Sequence, residues 1–142
     1  MPIIHQHTLT EYDVEHNRNV FYLFIENEKE KGGDDISKML RDVPNGLPIT
    51  LKRSGGSGID SYYDDDEYVP IIYALNVDID NINGVLLQRA IVVIPDSTFR
   101  SDYFNSEFFN RKCPKFFDHF TVRYDHLRTH FAPKKLPNGL LV

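Results

Sequence analysis

Asn19-Val20-Phe21-Tyr22-Leu23-Phe24-Ile25-Glu26-Asn27 decides the fold of this chain. Residues 20–25 are wholly apolar or aromatic and rich in strand-forming types. A run without polar alternation belongs to a strand buried on both faces, as in a sheet with helices on each side. The run then turns polar at Glu26-Asn27 and reaches a glycine pair, Gly32-Gly33. Asp34 and Asp35 follow, and acids favour the positive end of a helix dipole. Strand, polar end, glycine pair and helix start make one α/β unit. Ligands of such sheets bind beyond the carboxyl ends of the strands.

Working outward, Ile36, Met39 and Leu40 supply the apolar face of that helix, and Pro44-Asn45-Gly46 makes a turn. Residues 47–51 read as a second strand ending at Lys52-Arg53, and residues 3–8 as a short edge strand. Ser54-Gly55-Gly56-Ser57-Gly58 is a flexible loop. Residues 67–82 read as a helix with Val69, Ile72, Tyr73 and Leu75 or Ile79 inward. Residues 90–94 form a core strand stopped by Pro95, and residues 103–110 a short helix. From Pro114, the residues Phe116, Phe117, Phe120, Tyr124, Leu127 and Phe131 recur every three or four positions, as on an amphipathic helix with an aromatic stripe turned to the core. Pro133 and Pro137-Asn138-Gly139 close the domain. The expectation is a single α/β domain over residues 1–142, with a central mixed sheet flanked by helices.

The 142 residues suit one domain, and 41% hydrophobic residues can build a core in which Phe and Tyr replace the absent Trp. A net charge of −5 argues against non-specific binding to nucleic acid. The segment from Arg100 onward is nevertheless net basic, with Arg111, Lys112, Lys115, Arg123 and Arg128 on or near its helices. A single cysteine excludes an internal disulfide. No signal-like N-terminus and no apolar run of membrane-spanning length are present, so the expected location is cytoplasmic.

Several residue groups bear on chemistry. His5 and His7 share one face of a strand, with His16, Asp13 and Glu15 nearby in sequence, but no third ligand is specified. His126 and His130 are one helical turn apart, yet Leu127 stands where a zinc protease needs glutamate. The stretch Asp78 to Gly84 fails the calcium-loop register, because Ile79 and Ala90 fall at ligand positions. Cys113, beside Arg111, Lys112 and Lys115, lacks a partner base. Gly32-Gly33 and the Ser54–Gly58 loop match neither phosphate-binding fingerprint. No metal, cofactor or catalytic residue is assigned.

The block as a whole resembles a family of small phage and bacterial proteins with the pattern N-V-x-F-V-F-G-D-N, G-G-Q-A, R-x-x-P-N-A-x-G-I-P-T-K, then an aromatic pair before Asp and a strand ending I-V-I-P. The residues that carry it are Asn19-Val20, Phe24, Glu26-Asn27, Gly32-Gly33, Arg41, Pro44-Asn45, Ile49, Lys52, Tyr62-Tyr63 with the following aspartates, and Ile91-Val92-Val93-Ile94-Pro95. The resemblance covers residues 19–120. It implies a macrodomain-like layout, in which Asn27, Gly32, Gly33, Asn45 and Lys52 line a site for a nucleotide or ADP-ribose-type compound. This chain departs from the pattern where glycine matters. Ile25 replaces a glycine, Asp34-Asp35 replace Gln-Ala, Pro48 replaces another glycine, and residues 96–102 contain none. Bulky residues crowd a backbone approach, and added acids repel phosphate.

The expected function is therefore that of a non-enzymatic phage-type accessory protein with a degenerate pocket, acting by contact with a host protein. Its contact surface is expected at Asp64, Asp65, Asp66 and Glu67 and at the loop holding Arg100 and Asp102. Binding or hydrolysis of a nucleotide-like small molecule is the first alternative, and nucleic-acid binding through the basic helices the second. A crevice filled by Ile25, Phe99 or Tyr103 favours contact; an open polar one favours a ligand.

Overall fold

The computed structural model describes residues 3–6, 9–17, 19–99, 103–131 and 134–136. Its strands are β1 (Ile3–Gln6), β2 (Val20–Asn27), β3 (Gly46–Lys52), β4 (Ile91–Pro95) and β5 (Lys134–Leu136). Its helices are α1 (Glu11–His16), α2 (Asp35–Leu40), α3 (Tyr68–Leu87), α4 (Ser106–Lys112) and α5 (Pro114–Phe131). The sheet order is β3-β2-β4-β1-β5.

Every pairing in the described sheet is parallel, which corrects the expectation of a mixed sheet. Each strand from β1 to β4 is followed by a helical crossover, and a parallel neighbour needs one. The strand expected at an edge, β1, instead lies inside, between β4 and β5. Its short Ile3-Ile4 core is buried on both faces, as an interior position demands.

Two apolar clusters divide the faces. Ile4, Val14, Tyr22, Phe24, Leu40 and Val93 join β1, β2 and β4 to α1 and α2. Ile3, Leu23, Ile25, Ile49, Leu51, Val92 and Ile94 meet α3, α4 and α5 on the other face. Alternation along β2 sends Tyr22 and Phe24 one way and Leu23 and Ile25 the other. The product is a three-layer α/β/α domain.

Local sequence explains the helix starts. Thr10 and Asp13 form a reciprocal capping box on α1. Asp34 accepts from the Ser37 N–H at 2.9 Å and starts α2. Asp34 is one of the two acids that replace Gln-Ala in the resemblance. Asn105 caps α4. Helix α3 is longer than expected and has a different phase. Ile71, Leu75, Ile79, Ile82 and Leu86 are buried, while Val69 and Tyr73, expected inside, are each 74% exposed. Two apolar stripes at helical spacing run side by side on α3, and periodicity alone does not choose between them.

The aromatic stripe of α5 is core, as read from the sequence: Phe116, Phe120, Tyr124, Leu127 and Phe131 are buried, while Phe117, also expected in the stripe, is half-buried at its margin. Among the described residues, no helix is long and apolar enough to cross a membrane.

Candidate functional site

Strand β2 leads through α2 to β3 on one side of it. Its other neighbour β4 leads through α4 and α5 towards β5, across the sheet in the opposite sense. The carboxyl ends of β2 and β4 are thus a switch point, where open α/β sheets place their ligand crevice. The last residues of β2, Glu26 and Asn27, and the last of β3, Lys52, stand there. All three are buried.

Each is already engaged. Asn27 Nδ2 donates to Lys31 O at 2.9 Å and to the Tyr103 hydroxyl at 3.1 Å. Lys52 Nζ donates to Gly56 O at 2.6 Å and to Tyr103 O. The same ammonium lies 3.9 Å from the Tyr103 ring centroid and 4.8 Å from that of Tyr62, a cation–π sandwich. The Tyr62 hydroxyl accepts from the Asn105 N–H at 2.7 Å. Tyr103 therefore fills the crevice, its hydroxyl on Asn27 and its carbonyl on Lys52. Burial pulls the Lys52 ammonium down from 10.5 to about 8, against the pull of Asp34. Burial also pushes the Tyr103 phenol up to about 12. Ile25 and Phe99 do other work. Ile25 is in the α3 and α5 core, and Phe99 packs on Phe104, Phe120 and Tyr124.

The glycines serve the same closure. Gly32 and Gly33 have φ of +66° and +101°, in the left-handed region. A Cβ on Gly33 would stand 2.2 Å from Ser37 Oγ and 3.3 Å from the Tyr103 ring. A Cβ on Gly55 would stand 2.2 Å from Lys31 O and 2.9 Å from Gly33 N. The two glycine loops thus pack against each other, and glycine is required there by that close approach.

Beside the crevice, Arg41 forms a fork on Glu26, with Nε–Oε2 at 2.7 Å and Nη2–Oε1 at 2.6 Å, and its Nη2 also reaches Gly32 O at 2.9 Å. The Asn27 N–H adds a bond to Glu26 Oε1 at 2.9 Å. The hydrogen bonds that Arg41 donates to Glu26 hold its guanidinium above its ordinary pKa. A hollow of about 530 Å³ opens next to this pair, lined in part by Phe24 and Pro48.

Of the five residues expected to line a site, Asn27, Gly32, Gly33 and Lys52 come together. Asn45 does not. It precedes β3, at the amino end of the sheet, where its side chain donates to Val14 O and Asn17 O and its carbonyl accepts from the Tyr22 N–H. Glu26, Arg41 and Tyr62 belong to the cluster and were not named as site residues. A charged residue ending an apolar, doubly buried strand was the signal for Glu26, since such a charge needs a partner.

The expected contact surfaces are partly tied up. Asp64 pairs with Lys112 at 2.8 Å and Arg53 at 3.1 Å, contacts that hold its carboxyl below the usual range, Lys112 first. Glu67 also pairs with Arg53 and closes a capping box with Asp64. Asp65 accepts from the Lys115 N–H at 3.1 Å, at the start of α5. Asp66 is exposed. The carboxylates of Asp64, Asp66 and Glu67 approach within 4.8 Å of one another, but Asp64 and Glu67 are already paired with Arg53 and Lys112. Arg100 and Asp102 lie outside the described residues, as does His7. In the basic segment, Arg123 pairs with Asp80 at 3.3 Å and Arg128 with Asp125 at 3.7 Å. Cys113 is buried, which pushes its thiol up to about 12. His126 and His130 stack at 6.5 Å beside Arg123.

Fold and site together define a doubly wound parallel α/β domain whose switch-point crevice is closed by its own side chains. The chain belongs to a family of unknown function, DUF7831, whose model matches residues 4–123. No curated protein and no solved structure matches it.

Proposed function

We propose that this chain is a non-enzymatic binding protein that acts by contact with another protein. In this reading the crevice of a macrodomain-like ancestor has degenerated, and the protein is an accessory factor, of phage type, that modulates a host protein. The observation that carries it is the occupancy of Lys52 and Asn27 by Tyr103. The polar atoms suited to a ligand phosphate and hydroxyl are spent on the chain's own backbone and phenol. A ligand would have to displace a buried tyrosine and break a cation–π sandwich before it made a contact.

A nucleotide or ADP-ribose-type ligand is the second reading, favoured by the convergence of Asn27, Gly32, Gly33 and Lys52 on one crevice. Nucleic-acid binding has less support, since Lys112, Arg123 and Arg128 are paired with acids. Thermal melting with ADP-ribose, ADP and ATP at about 1 mM separates the first two. A ligand at 100 times its Kd adds about 2.7 kcal/mol, a shift of several degrees for a domain of this size. No shift is expected, and a shift of that size with any of the three overturns the contact reading.

A further inference from the structure

The hollow of about 530 Å³ beside Glu26 adjoins a second one of about 280 Å³. They share Glu30 and Thr50, so one groove runs from the sheet face at β2 and β3, past the β3 edge, to α3. Its lining carries the carboxylates of Glu26, Glu28, Glu30, Asp42, Glu67 and Asp78 against two cations, Lys31 and Arg41. Arg41 is held by Glu26, and Glu67 by Arg53. Among the described residues, Glu28, Glu30 and Asp42 enter no ion pair. Burial raises the Asp78 pKa, as expected of a carboxylate that lacks a cation.

Apolar side chains also line the groove, Phe24 and Pro48 at one end and Pro70 and Ala74 at the other. The β3 edge offers no amides for strand addition at these positions. The Gly46 N–H bonds Val43 O at 3.2 Å, Pro48 has no N–H, and the Thr50 N–H bonds Asp78 at 2.8 Å. An occupant must therefore reach in with side chains. Long side chains with an apolar stem and a cationic head match a groove lined by apolar side chains and carboxylates.

We propose that this groove is the protein-contact site, and that it takes a basic polypeptide segment through arginine or lysine side chains. The inference rests on the contact reading and names its surface and the chemistry of its partner. Stems lie over Phe24 and Pro48, and heads meet Glu30, Asp42 and Asp78.

The probe is a fluorescein-labelled dodecapeptide of repeated Arg-Gly-Ser, with a neutral peptide of equal length as control, measured by anisotropy at low salt. The variant is Glu30→Gln with Asp42→Asn, both exposed, its fold checked by melting. Binding of the basic peptide alone, weakened at least tenfold in the variant, with amide shifts at Glu30, Asp42 and Thr50, supports the proposal. Equal binding by the variant, or shifts centred on Asp118 and Asp125, overturns it. So does full displacement by spermine at matched ionic strength, which marks a site for small cations only. Absence of peptide binding overturns this groove assignment alone, whereas the contact reading falls by nucleotide stabilisation.

Discussion

Replacing Lys52 with methionine gives the sharpest physical test, because a fully buried lysine leaves a pH signature. Its ammonium titrates near 8 in the folded chain and at 10.5 when exposed. Between those values the unfolded chain holds a proton that the folded chain has released. Stability therefore rises with pH across that window, and the burial cost is present in full below it. A difference of 2.5 units at 1.36 kcal/mol each amounts to about 3 kcal/mol. Lys52→Met removes this titration while keeping an unbranched side chain, one heavy atom shorter. It also removes two charge-assisted bonds to carbonyls, about 1.5–3 kcal/mol each before the relieved desolvation is counted. Urea unfolding of both proteins, followed by far-UV circular dichroism because the chain has no Trp, gives the difference at each pH. Cys113, pushed up to about 12, titrates in both proteins, so its contribution cancels. The wild-type advantage should grow by about 3 kcal/mol between pH 8 and 10.5. A difference that stays flat across that range refutes the buried charge.

Two other perturbations test the frame around the crevice. Arg41→Ala strands the buried Glu26 carboxylate and should cost about 3–5 kcal/mol in urea unfolding, whereas the double change Glu26→Gln with Arg41→Met recovers most of it; a single-variant cost below about 1 kcal/mol would contradict the pair's role. Asp78→Ala releases the Thr50 N–H at the sheet edge, with an expected loss of about 1–2 kcal/mol and faster Thr50 amide exchange, while Asp78→Asn, which keeps an acceptor, loses less. Unchanged Thr50 exchange in Asp78→Ala would show that the bond does not protect the edge.

Much of this architecture was legible in the chain. The unbroken apolar run of β2 announced a doubly buried strand, and the every-third-or-fourth aromatics of α5 announced a core helix. Strand order was not legible. Whether β1 sits at an edge depends on β5 pairing beyond it, a contact made across more than a hundred residues. The phase of α3 was hidden because Val69, Tyr73 and Val77 mimic a core stripe beside the true one.

At the site, the shared neighbourhood of Asn27, the glycine pair and Lys52 was visible as strand ends. The purpose of the glycines was not. Local sequence shows that Gly33 and Gly55 permit unusual backbone, but not that they touch each other's loops. Asn45 was misplaced for a related reason: a turn before a strand lies at the opposite end of the sheet from the residues after it. The acidic run resembled an open surface, yet Arg53 and Lys112 reach it from elsewhere in the fold.

The most direct measurement is the ammonium signal of Lys52 in a proton–nitrogen correlation spectrum of lysine-labelled protein near pH 6. Held by Gly56 O and Tyr103 O, the Lys52 ammonium should exchange slowly with water and give a sharp signal, assigned by its loss in Lys52→Met. Adding about 1 mM ADP-ribose should leave that signal in place, because Tyr103 fills the crevice. A signal that moves with ADP-ribose, or one already broadened by exchange with water, would show an open crevice and contradict the account.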